Sequence, residues 1–152
     1  MAEITERIAM DMARSLIKKH EGLRCTLYED TQGHLTGGYG HNFSSNGYLP
    51  AYIWDIIYDN MDFPQARRDA EELMNEYDIP FPGLPRKIVL IDMAFNLGKD
   101  KLRGFKKMWA ALKNRDYETA GKEMLDSLWA KQVGCRAVEL EKSMREGSYI
   151  SG

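Results

Sequence analysis

The chain has 152 residues, 43% hydrophobic and 29% charged, with a formal net charge of −2; this is the composition of a globular domain long enough to bury a core. No apolar run approaches a membrane span, and residues 2–19 hold no uninterrupted apolar stretch of the kind a secretory leader needs, so neither anchor nor signal is expected and the chain should be made in the cytoplasm. Charge is uneven: residues 99–152 carry 12 basic and 8 acidic side chains against 9 and 15 in the first 98, which suits either a polyanionic partner or well-solvated helix faces.

In chain order, Ile4, Ile8, Met12, Leu16 and Ile17 recur at helical spacing and predict an amphipathic helix over about 3–21. Lys18, Lys19 and His20 sit in its last turn, where the macrodipole favours cations. Glu21 is the exception, an acid at the negative end, and Gly22 is a helix stop. Arg24-Cys25-Thr26-Leu27-Tyr28 then alternates polar and apolar side chains. Glu29 to Gly33 supply turn residues and His34-Leu35-Thr36 resumes a strand, so a hairpin is expected. Gly37 should loosen the second strand. The Gly-, Ser- and Asn-rich run over 37–50 reads as loop without a clear third strand. Cys25 and Cys135 make no disulfide framework; free thiols are expected, with one bridge as the alternative.

Residues 50–60 predict a short helix opening at Pro50, with Ile53, Trp54, Ile57 and Tyr58 on one face. Asp62 is a candidate N-cap and Pro64 a first-turn residue for the next helix, to about 77. That helix is strongly charged, with a thin stripe of Ala66, Ala70, Leu73 and Tyr77, as in a helix connecting two lobes. Three prolines then break the chain. Pro85 begins the most apolar helix, Gly98 ends it, and further helices are expected over 105–113, 116–131 and about 135–146. The expected fold is α+β and mostly helical: one two-lobed domain with a small hairpin lobe at about 20–60, a connecting helix at about 62–77 and a helical lobe at about 85–147. The N-terminal helix is expected to pack on that helical lobe. A groove between lobes is a usual place for an extended ligand.

The chemistry concentrates between Glu21 and Thr36. Glu21 and Asp30 lie nine positions apart, one at a helix end and one in a tight turn. Different environments let one carboxyl keep its proton while the other stays ionised, and the helix end should raise the value of Glu21. No His/Cys cluster has metal-ligand spacing, so neither metal nor cofactor is expected.

The run E-G-L-R-x-x-x-Y-x-D-T-x-G-x-x-T-x-G-x-G-H, from Glu21 to His41, resembles the catalytic signature of the phage-type lysozymes, the endolysins of tailed phages in glycoside hydrolase family 24. Ala94–Gly98 followed by Gly104 and Phe105 is similar to the same family. So is Ser127–Ala137, with Arg145, Glu146, Gly147 and Tyr149 after it. The resemblance spans about 130 residues. It implies a lysozyme-like fold and a muramidase that cleaves the β-1,4 bond between N-acetylmuramic acid and N-acetylglucosamine in peptidoglycan, with inversion. By the same resemblance, Glu21 is the general acid, and Asp30 and Thr36 place the attacking water. His41 braces the small lobe, Asn42 and Phe95 line the saccharide groove, and Arg136 pairs with the catalytic Glu. Asn42 replaces the usual apolar residue, and Phe95 serves the core equally well. Trp109 and Trp129 are expected to pack rather than to stack on sugar.

The partners implied are peptidoglycan glycan strands and a holin-type protein that permeabilises the membrane of the bacterial host. A monomer that binds no nucleic acid is expected. Three other classes compete. A lytic transglycosylase cuts the same bond without water but needs no paired Asp. A catalytically silent wall-binding or particle-structural module would not need Glu21, Asp30 and Thr36 intact. A nucleic-acid binder would rest on the basic last third alone.

Overall fold

A computed structural model of the chain describes residues 2–44 and 49–150, with the side chains of all of these except residues 2–9, 11 and 21. It is mostly helical with one small antiparallel sheet, an α+β architecture consistent with a lysozyme-like fold. The chain divides into two compact units, with the boundary in the sequence between Ala51 and Tyr52.

The first unit opens with helix α1 (Ala2–Glu21). Gly22 closes it: at φ +69° its amide donates to the Lys18 carbonyl at 3.0 Å, a left-handed cap that glycine adopts without a Cβ penalty. On the predicted apolar face, Met12, Leu16 and Ile17 are exposed, and the side chains of Ile4 and Ile8 lie outside the described residues. The sheet follows in the order β1 (Arg24–Glu29), β2 (Leu35–Gly38), β3 (His41–Asn42), antiparallel throughout. The β1–β2 register runs from Arg24↔Gly38 to Tyr28↔Thr36. Four steps on β1 therefore match two on β2, so β1 bulges where simple alternation was expected.

The third strand corrects the sequence reading of a loop after His41. Two residues are too few to show alternation. They are fixed by tertiary pairing, Thr36↔Asn42 and Gly37↔His41, and by the Phe43 amide donating to the Leu35 carbonyl at 2.7 Å. Gly37 lies within β2, paired with His41. It is buried, and a Cβ there would stand 2.9 Å from Leu27 Cδ2 and 3.4 Å from Phe43 Cε2, so those two side chains occupy the space.

In the second unit, α2 (Ala51–Ile57) does not stop before Pro64. It continues through a π-helical turn (Tyr58–Asp62) into α3 (Phe63–Glu76). Pro64 has no N–H to give to the turn below. The chain widens by one residue, with the Phe63 amide donating to the Tyr58 carbonyl. Asp62 is helical with no side-chain cap, so it is not the expected N-cap. The apolar stripe of α3 is buried, and its acids pair outward: Glu71 with Lys87 at 2.7 Å, Glu76 with Arg103 at 3.0 Å, and Glu72 with Lys99. Four of the twelve cations of the last third, Lys99, Arg103, Lys113 and Arg136, pair with acids of the segment before it.

Helix α4 (Leu84–Leu97) lies in the core, burying Val89, Leu90, Met93 and Ala94. A short helix absent from the sequence reading, α5 (Lys99–Arg103), precedes α6 (Lys106–Lys113). The helix expected over 116–131 is two, α7 (Tyr117–Leu125) and α8 (Leu128–Val133), followed by α9 (Cys135–Glu146). Ser127 makes the break. Its hydroxyl donates to the Met124 carbonyl at 2.6 Å and accepts the Ala130 amide at 3.1 Å, serving the end of one helix and the start of the next. Ser127→Ala should therefore lower unfolding free energy by about 1 kcal/mol, read as a shifted urea midpoint at unchanged slope.

Candidate active site

The β1–β2 hairpin is organised around the backbone of His34. The Asp30 amide donates to the His34 carbonyl at 2.9 Å, and the Thr36 hydroxyl donates to the same oxygen at 3.1 Å. In the other direction the amides of Gln32 and His34 donate to Asp30 Oδ1 at 2.8 and 2.9 Å. This is an Asx-type turn, in which the Asp side chain takes the amides that the reversing chain leaves unpaired. Oδ1 is thereby occupied, and Oδ2 lies 3.4 Å from His34 Nδ1.

The His34 amide, and next the Gln32 amide, hold the Asp30 carboxyl below the usual carboxylate range, with a smaller contribution from the His34 ring. Asp30 remains an anion wherever an ordinary aspartate would. Thr36 is 4% exposed on the central strand. Its hydroxyl gives its proton to the His34 carbonyl, so its oxygen is left as an acceptor. Asp30 Oδ2 and the Thr36 oxygen, on two side chains both tied to the His34 backbone, are acceptors to which a water molecule can donate.

Glu21 is the last residue of α1, immediately before the Gly22 turn into the same hairpin, and its side chain lies outside the described residues. His41 is exposed on β3, with its ring edge-on to Phe43 at 4.7 Å. Asn42 pairs with Thr36 across the sheet, and its Oδ1 accepts the Ser44 amide at 2.9 Å. Phe95 and Arg136 belong to the second unit. Phe95 is 47% exposed on α4, with its ring 5.8 Å from that of Tyr58, so it is not a core residue. Arg136 Nε donates to Asp92 Oδ1 at 2.8 Å. Trp109 and Trp129 pack in the core, as expected, and the Trp129 indole donates to Asn96 Oδ1 at 2.7 Å.

The residue that the sequence reading passed over is His34. The signal lies in D-T-Q-G-H itself: an Asp whose second and fourth successors can both turn their amides back to it, with a glycine between them. Cys25 and Cys135 are free, exposed thiols. Among the described residues no group of three His, Cys, Asp or Glu side chains gathers to hold a metal, and no helix is long and apolar enough to cross a membrane.

No family model matches the chain. It is similar to the pre-baseplate central spike protein Gp5 of Enterobacteria phage T4, 27% identical over an alignment 166 positions long that covers 93% of this chain but 29% of that protein. It is also similar to the "Probable T4-type lysozyme 1" of Dictyostelium discoideum, 24% identical over 149 residues that cover 82% of this chain and 88% of that protein.

Proposed function

We propose that the chain is a muramidase of the glycoside hydrolase family 24 type, hydrolysing the β-1,4 bond between N-acetylmuramic acid and N-acetylglucosamine. The observation that carries this reading is the joint anchoring of Asp30 and Thr36 on the His34 backbone, in the hairpin entered directly from Glu21. The similarity to a T4-type lysozyme along most of both chains supports it independently.

In this mechanism Glu21 protonates the glycosidic oxygen. A water held by Asp30 Oδ2 and the Thr36 oxygen attacks the anomeric carbon from the opposite face, and its proton passes to Asp30. An oxocarbenium-like transition state needs this arrangement, a proton donor on the leaving side and an anion beside the incoming water. Asp30 suits the second role because its carboxyl is held ionised. The product would be the inverted α-anomer. The substrate is the glycan strand of the bacterial wall, on which the protein acts.

The test is digestion of purified peptidoglycan with the new ends identified by mass. Reducing N-acetylmuramic acid ends are expected; anhydro-muramoyl ends would instead establish a lytic transglycosylase. Similarity to a phage spike protein over 93% of the chain favours one further reading, a particle-structural module of the same fold. Intact peptidoglycan after digestion would favour it.

A further inference from the structure

The pairing of His34 with Asp30 has a chemical consequence of its own. Oδ1 of Asp30 is occupied by two backbone amides, so Oδ2 is the oxygen left to receive a proton from water. Oδ2 sits 3.4 Å from His34 Nδ1, and the two side chains are 30% and 40% exposed, so solvent reaches both. The two residues are held together, because the His34 backbone is bonded to Asp30 through both its amide and its carbonyl.

We propose that His34 is a positioning residue that controls Asp30 Oδ2. As an imidazolium it draws that oxygen to itself and weakens it as a proton acceptor; as neutral imidazole it releases Oδ2 to the water. The proposal rests on the muramidase reading for its effect on turnover. Imidazole is the ionisable side chain suited to such a control, because it can be either cation or neutral near physiological pH. Removing a unit positive charge at this separation from a solvent-exposed carboxylate should strengthen it as a base roughly 3- to 10-fold.

The other ionisable groups on the strands around His34 are Arg24, Cys25, Tyr28 and Glu29 of β1, with Arg24 stacked over the Tyr28 ring, and His41 of β3, turned to Phe43. All are retained in the variants below, so their contributions cancel in the comparison.

Two readouts test the proposal. In the first, the Asp30 carboxyl carbon is followed by NMR from pH 2 to 9 in the wild-type chain and in His34→Gln. A second inflection, coincident with titration of the His34 ring, is expected in the wild type and absent in the variant. In the second, kcat and KM on soluble glycan fragments are measured over pH 5–8. Wild-type kcat should rise roughly 3- to 10-fold with KM unchanged. His34→Gln should stay near the upper plateau, and His34→Lys, permanently cationic, should stay low throughout.

A missing inflection, or parallel wild-type and His34→Gln profiles, overturns the control by His34. An inflection in a protein that cleaves no glycan upholds the His34–Asp30 coupling and overturns the muramidase reading instead.

Discussion

Glu21→Gln should lower peptidoglycan hydrolysis by roughly a hundred- to ten-thousand-fold while leaving circular dichroism and the unfolding midpoint unchanged. The amide has the shape of the acid but cannot protonate a departing sugar oxygen. The position supports the role: α1 ends at Glu21, and the last turn of a helix presents unpaired carbonyls that disfavour a carboxylate and favour its protonated form. Asp30 is biased the other way by two donated amides. An acid and its ionised partner need carboxyls biased in opposite directions. Asp30→Asn should accordingly be as damaging as Glu21→Gln, and it also removes the acceptor for the water proton. Clearing of wall suspensions measures both variants. Lysis by Glu21→Gln at the wild-type rate would show that the acid is another residue.

The parts of the fold legible in the sequence were those whose cause is local. Gly22 stops α1 because its conformation suits few other residues, and Gly98 ends the apolar helix in the same manner. The stripe of Ala66, Ala70 and Leu73 predicted a buried face on a charged helix, and those residues are buried. What stayed hidden depends on partners distant in sequence or on alternative hydrogen bonding. β3 exists because Thr36 and Gly37 pair with it, and two residues carry no period of their own. A proline reads as a helix start, yet the chain through Pro64 remains helical by opening one π turn. Ser127 looks like any helix serine until its hydroxyl is seen bonded on both sides. The candidate site divides in the same way. Glu21 and Asp30 stand out by type and spacing and Thr36 through the family resemblance, whereas the contribution of His34 lies largely in its backbone, which no residue pattern displays.

Trp109→Ala should be the most destabilising single change in the second unit, costing about 3–5 kcal/mol of the ~5–15 kcal/mol that holds a domain of this size folded. Trp109 is fully buried, its ring lies parallel to that of Tyr77 with centroids 5.2 Å apart, and its indole donates to the Leu102 carbonyl at 2.9 Å. The mutation removes the apolar contact, the stacking and a hydrogen bond at once, and it leaves a cavity in the core cluster to which Leu102, Met108 and Leu112 also belong. Trp109→Phe separates these effects. Most of the ring contact survives and only the indole donor is lost. The Leu102 carbonyl still accepts the Phe105 amide at 3.1 Å, so a cost of about 1 kcal/mol is expected. Thermal unfolding should show a fall of about 6–20 °C for the alanine variant and a few degrees for phenylalanine. Near-equal shifts would mean that the hydrogen bond, rather than the packed ring, anchors the junction between α3, α5 and α6.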